Sequence, residues 1–98
     1  MRIIAKSTLV NYYLKYEQAK TPLELWYRET KKANWSNFSD IKNTFNSVDS
    51  VGNQHYVFNI IGNDFRLIVV VQFTIKTVLI RFVGTHKEYD KIKNINTI

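Results

Sequence analysis

The sequence predicts an α+β fold in which an N-terminal strand and a helical hairpin pack on one face of an antiparallel sheet, with a short C-terminal helix closing the chain. Three observations predict it. Apolar residues fall at helical spacing before Asn34, they switch to alternation after Asn53, and a helix-capping pattern follows the last alternating run. With 98 residues, 45% of them hydrophobic and 22% charged, the chain holds enough apolar surface for one modest core. It is too short for a two-lobed enzyme, and no repeat, low-complexity tract or Pro/Gly linker divides it, so residues 1–98 are expected to form a single domain.

Ile3 to Ala5 reads as a short first strand. Ser7 then caps a first helix over about residues 8–19, with Leu9, Tyr12, Tyr13 and Tyr16 on one side. Thr21-Pro22-Leu23-Glu24 has the form of a capping box with proline at the first helical position, so a second helix is expected to start there. Leu23, Trp26, Tyr27 and Ala33 form its inward stripe, and Arg28, Glu29, Lys31 and Lys32 face solvent or a partner. Ala19-Lys20-Thr21 joins the two helices as an antiparallel hairpin. Between Asn34 and Asn53 the composition turns to Asn and Ser, with Trp35, Phe38, Ile41 and Phe45 as apolar anchors, which predicts a loop with one short helical turn. Trp26, Tyr27, Trp35 and Phe38 read as core or partner contacts in preference to base-stacking platforms, because no basic and aromatic alternation surrounds them.

Gln54–Ile61, Asp64–Thr74 and Thr77–Thr85 alternate with period two and predict a three-stranded meander, turning at Gly62-Asn63 and at Ile75-Lys76. In that register Asn59 opposes Arg66, Phe73 opposes Val78, Val70 opposes Arg81 and Arg66 opposes Thr85. One face then collects Tyr56, Phe58, Ile60, Phe65, Leu67, Val69, Val71, Phe73, Val78, Ile80 and Phe82, with no charge among them, and the helices must cover it. The other collects His55, Asn59, Arg66, Arg81 and Thr85 amid Val57, Ile68, Val70 and Val83. That mixture is too polar for a second core and reads as a site.

Thr85-His86-Lys87-Glu88 repeats the capping-box pattern and opens a final helix at the end of the last strand. His86 and Lys87 fall in its first turn, where free amides favour anions, and Arg66 lies next to them across the sheet. The chain carries a net charge of +6, a field that attracts phosphate polyanions, so nucleic acid is the first partner to consider. Zero cysteines exclude disulfides and thiolate chemistry and fit a cytoplasmic location. Neither a signal-peptide core nor a membrane-length apolar run is present, so no membrane partner is expected.

Gly-rich phosphate loops, HExxH pairs and GxSxG elbows are absent from the sequence. Asp64, Glu88 and Asp90 are too scattered between a turn and a helix start for a magnesium cluster, so neither metal nor cofactor is expected. The chemistry left is phosphodiester cleavage in which RNA supplies its own nucleophile. A 2′-hydroxyl attacks the adjacent phosphorus, His or Tyr moves protons, and Arg or Lys stabilises the pentacoordinate charge.

The run His55-Tyr56-Val57-Phe58-Asn59, then Gly62-Asn63, Phe65-Arg66-Leu67 and Thr85-His86-Lys87-Glu88-Tyr89-Asp90, resembles the HigB-type toxins of bacterial type II toxin–antitoxin modules, and the likeness extends over most of the chain. The resemblance implies a RelE-like toxin fold, a ribosome-associated mRNA interferase that also meets ribosomal RNA, and neutralisation by a HigA-type helix-turn-helix antitoxin. It points to Arg66 and to His86, Lys87 and Tyr89 in the terminal block, with His55 and Asn59 as neighbours on the same face; with these, His55 is expected among the catalytic residues and Asn59, Arg81 and Lys91 are expected to bind RNA. Arg66 and Lys87 would stabilise transition-state charge, His86 and Tyr89 would transfer protons, and His55 would position substrate or act as a second acid/base. The alternative from another class is a non-catalytic basic RNA- or protein-binding module with a toxin-like fold, for which charge would matter and chemistry would not.

Overall fold

The computed structural model describes residues 1–61 and 64–98, and among them five strands form one sheet flanked by four α-helices. In chain order these are β1 (Arg2–Ile4), α1 (Lys6–Lys15), a 3-10 turn (Glu17–Ala19), α2 (Lys20–Lys32), α3 (Phe38–Thr44), β2 (Val48–Gly52), β3 (His55–Ile60), β4 (Phe65–Gln72), β5 (Thr77–Thr85) and α4 (His86–Asp90). The strand order is β1-β5-β4-β3-β2. The meander β3-β4-β5 is antiparallel as expected. β1, however, joins β5 in parallel, which makes the sheet mixed, and β2 adds a fifth strand antiparallel to β3 where a loop was expected.

The helical hairpin forms with shifted ends. Ser7 lies inside α1; the cap position is Ala5, in the left-handed region at φ 75°, where the chain turns within one residue from the parallel strand into the helix. Thr21 does not cap α2 either. The 3-10 turn runs straight into the helix, with Ala19 fully buried, and Ala19 N–H and Lys20 N–H donate to Tyr16 O and Glu17 O. This leading turn places Pro22 in the first turn of α2, where its missing N–H breaks no helical bond. The short helical turn expected in the Asn/Ser-rich segment forms as α3, capped by Asn37, whose Oδ1 accepts from Asp40 N–H at 3.0 Å.

The core lies between the sheet and these helices. Leu9, Leu23, Trp26, Trp35 and Ile41 meet Tyr56, Phe58, Ile60, Phe65, Leu67, Val69, Val71, Val78 and Ile80. Aromatic edges knit the layers: Trp26 meets Phe58 at 5.5 Å, Phe45 meets Phe58 at 5.4 Å, and Tyr12 meets Phe65 at 5.8 Å. Trp26 and Trp35 are thus core residues, Phe38 packs at the margin, and Tyr27 is half-buried with Lys6 and Lys31 Nζ 4.5 and 5.6 Å from its ring centre.

The register confirms one expected hairpin and corrects the other. Asn59 opposes Arg66 as expected, although the turn at Gly62-Asn63 itself lies outside the described residues. Between β4 and β5 the turn takes four residues, Phe73 to Lys76, so Val71 opposes Val78 and Val70 opposes Leu79 in place of Arg81. A bulge follows. Val69 pairs with Ile80 but Ile68 with Phe82, leaving Arg81 as the extra residue, and beyond it Arg66 faces Gly84, with Thr85 opposite Phe65. This one-residue shift exchanges the faces at the end of β5: Val83 and Thr85 turn to the helical side, and Phe82 leaves the core for the outer face.

The outer face is also covered in part. Val57 and Ile68, paired there, are buried at 3% and 0% exposure without belonging to the main core cluster. After β5 the chain continues as α4 and a tail pinned beside the β2–β3 connection. Asn53 Nδ2 donates to Asn96 O at 2.8 Å and Asn96 Nδ2 donates to Val51 O at 3.1 Å. Gly52, at φ 89° in the β2 bulge, makes the turn that brings Val51 and Asn53 to this tail.

Candidate functional site

α4 is the element that assembles the site, and its first turn is fixed from three directions. Both arms of the expected capping box are present: Glu88 N–H donates to Thr85 Oγ1 at 3.2 Å, and Thr85 N–H donates to Glu88 Oε1 at 2.7 Å. Tyr12 of α1 donates its hydroxyl to the same carboxylate oxygen at 3.3 Å, and His86 N–H donates to Asp64 O at 3.3 Å, beside the start of β4. The hydrogen bond from Thr85 N–H holds the Glu88 carboxyl below its usual range, and burial next to Glu88 pushes the Tyr12 phenol up.

This cap has a pH signature. The Glu88 carboxyl is lowered on folding, so its stabilisation is complete above about pH 4.3, the unfolded value, and is lost as pH falls through the lower folded value. Hydrogen exchange at Thr85 N–H is expected to accelerate in that acid window relative to the β3–β4 ladder. A Thr85 amide protected equally at all acidic pH values would contradict it.

On β4, Arg66 projects to the outer face between Asn59 of β3 and Gly84 of β5. Its guanidinium carbon sits 5.6 Å from the centre of the Tyr89 ring. A Cβ at Gly84 would lie 2.5 Å from Phe82 Cζ and 3.1 Å from Glu88 Oε1, so a side chain here would push the Phe82 ring and the capping carboxylate aside. Burial raises the Tyr89 phenol pKa, with Asp49 and Asp90 adding to the rise against the pull of Arg66. The phenol therefore keeps its proton at neutral pH. His86 is exposed, with Nδ1 2.9 Å from Asp90 Oδ2 one turn along α4, and Lys87 and Lys91 are exposed on the same short segment. Asn59 is half-buried and donates from Nδ2 to Ser47 Oγ at 2.7 Å.

Arg66, Asn59, His86 and Tyr89 thus meet where the turn end of the β3–β4 hairpin adjoins α4, and Lys87 and Lys91 are exposed on the same short segment. His55 does not join them. It begins β3, four residues from Asn59, or roughly 13 Å along an extended strand. It is only 5% exposed, with Nδ1 2.7 Å from Asn53 O and Nε2 3.2 Å from Ile98 O, so its ring is occupied in holding the tail. Arg81 is exposed at the bulge, away from the pairing with Val70 that would have aligned it with Arg66. The residues missed from the sequence are Tyr12, Asp64 and Asp90. Only Asp90 left a readable signal, the four-residue spacing from His86.

The arrangement combines a cation, a neutral phenol and an imidazole at one solvent-facing edge, the equipment of proton transfer around an anionic centre. Among the described residues no group of three or more His, Asp and Glu gathers as a metal would require. A cleft of about 200 Å³ lies elsewhere, between α1 and α2, lined by Lys6, Tyr13, Tyr27 and Arg28 among others.

Residues 19–92 match the HigB_toxin family model, described as the RelE-like toxic component of a toxin–antitoxin system. The chain is 36% identical over 92 residues to the mRNA interferase toxin HigB of Escherichia coli (strain K12), covering 92% of this chain and 88% of that one. The mRNA interferase HigB of Shigella flexneri shows the same identity and coverage. A second Escherichia coli relative, the mRNA interferase HigB of the O6:H1 serotype, is 29% identical over 94 residues, or 94% of this chain and 91% of that one.

Proposed function

The chain belongs to the HigB family of RelE-like toxins, the toxic components of toxin–antitoxin systems, and from this premise we propose how its outer face cuts RNA. It is an mRNA interferase, an endoribonuclease. The observation that carries the reading is the meeting of Arg66 from β4 with Tyr89 of α4, at 5.6 Å, beside His86.

The cleavage proceeds without metal or cofactor. His86 takes the proton of an RNA 2′-hydroxyl, the oxygen attacks the adjacent phosphorus, and the P–O5′ bond breaks to leave a 2′,3′-cyclic phosphate. Tyr89 donates its proton to the departing 5′-oxygen, a role supported by burial that keeps the phenol protonated. Solvent then returns a proton to Tyr89 and removes one from His86. Arg66 and Lys87 meet the charge of the pentacoordinate phosphorus, while Asn59 and Lys91 contact the flanking backbone. Arg81, at the bulge, contacts RNA outside the reacting phosphate. His55 orders the C-terminal tail and takes no proton in the reaction.

The substrate is mRNA on the translating ribosome, in the cytoplasm, and a cognate HigA-type helix-turn-helix antitoxin neutralises the toxin. The net charge of +6 and the exposed Arg28, Lys31 and Lys32 of α2 support a further contact with ribosomal RNA. No helix among the described residues is long and apolar enough to cross a membrane.

Tyr89→Phe keeps the ring that stacks on Arg66 and removes only the transferable proton. Its cleavage rate is expected to fall by about 100-fold or more, read by primer extension on transcripts after induced expression. Cuts undiminished in that variant would remove Tyr89 from the chemistry. Folded protein that binds RNA in a salt-dependent way yet leaves transcripts intact would favour a non-catalytic binding module instead.

A further inference from the structure

His86 is held at both ends. Its backbone N–H donates to Asp64 O at 3.3 Å, and its ring Nδ1 lies 2.9 Å from Asp90 Oδ2, across one turn of α4. The side chains of His86 and Asp90 are 48% and 58% exposed, so as an ion pair they add little to stability. The capping box already secures the start of α4. What the pair changes is the chemistry of the ring. A carboxylate accepts a hydrogen bond and has none to give, so the neutral imidazole facing it carries its proton on Nδ1. Nε2 is then left as a lone pair, the form needed to receive a proton.

We propose that Asp90 is a positioning residue for RNA cleavage: its carboxylate holds His86 in the Nδ1-protonated tautomer and aims Nε2 at the 2′-hydroxyl. The inference rests on the reading of His86 as the base, and it assigns the chain a carboxylate–imidazole pair that cooperates with the Arg66–Tyr89 pair at the same edge. During the reaction Nε2 gains the 2′-hydroxyl proton while Nδ1 keeps its own, and the carboxylate faces the resulting imidazolium. Asp90 itself exchanges no proton.

The test uses the full chain and two readouts, the tautomer of the neutral His86 ring by long-range proton–nitrogen NMR and the rate of mRNA cleavage. In the wild type, His86 is expected to carry its proton on Nδ1. Asp90→Asn is expected to shift the population to the Nε2-protonated form and to slow cleavage by about 10- to 100-fold, because the ring then presents the wrong nitrogen. Asp90→Glu, which still reaches one helical turn back, is expected to restore both. A wild-type His86 protonated on Nε2, or an Asp90→Asn enzyme as fast as wild type while His86→Gln is inactive, would overturn the role of Asp90. Full activity in His86→Gln would be a different failure, removing the base itself and with it any part for Asp90 in the reaction.

Discussion

Arg66→Ala is expected to lower mRNA cleavage by about 100- to 1000-fold, the cost of losing one preorganised donor to a developing oxyanion, and to relieve growth arrest on induction. The fold should survive the change. Arg66 is half-buried on the outer face and stands outside the main core cluster, whose β4 members are Phe65, Leu67, Val69 and Val71. The variant also removes the cation beside Tyr89, which leaves the phenol pKa raised by burial without the opposing pull of the guanidinium. Arg66→Lys keeps the charge and loses the planar fork that grips two phosphate oxygens, so it should recover only part of the rate. Circular dichroism and primer extension on the same preparations decide the matter. Undiminished cutting by a folded Arg66→Ala protein would move the active site away from the β3–β4 hairpin.

Trp26→Ala is expected to cost about 3–5 kcal/mol of stability, as large aromatic truncations in packed cores do. Trp26 is 1% exposed, meets Phe58 edge-on at 5.5 Å and lies nearly parallel to Phe45 at 6.5 Å, so its loss opens a void at the centre of the helix–sheet interface. Against a total stability of about 5–15 kcal/mol for a small domain, such a loss leaves the variant partly unfolded at growth temperature. Urea denaturation of the two proteins measures it. A difference below about 1 kcal/mol would mean that the core is not organised around this residue.

Much of this architecture is written locally in the sequence, and the rest depends on contacts between distant segments. The β3–β4 hairpin and its pairing of Asn59 with Arg66 follow from alternation together with the Gly62-Asn63 turn signal in the sequence, and the Thr85 and Glu88 spacing specifies the α4 cap down to both hydrogen bonds. β2 is not legible locally, because Val48–Gly52 is an edge strand with only Val48 buried and its composition reads as loop. The parallel partnership of β1 with β5 is likewise invisible to local pattern, since it joins the two ends of the chain.

The bulge at Arg81 mattered most for the candidate site. A constant register carried Phe82 into the core and Arg81 toward Arg66, and one unpaired residue reverses that alternation before the strand reaches Gly84. His55 was drawn to the site by its face alone. The tail that holds it starts beyond α4, and nothing near His55 in sequence announces that Ile98 will reach its ring while Asn96 ties the tail to Val51 and Asn53. Asp90 shows the opposite case. Its spacing from His86 was in plain view, but the significance of the pair depends on the 2.9 Å contact and on the main-chain anchor of His86 at Asp64.

The central claim is that RNA supplies the nucleophile at the edge formed by Arg66, His86 and Tyr89. The direct measurement is cleavage of an mRNA, translated by ribosomes in the presence of the purified toxin, that carries a single 2′-deoxynucleotide immediately 5′ of the mapped cut. Cleavage at that phosphate is expected to vanish while the all-ribose message yields a 2′,3′-cyclic phosphate and a 5′-hydroxyl. A deoxy-substituted message cut at the same place and rate would contradict the account.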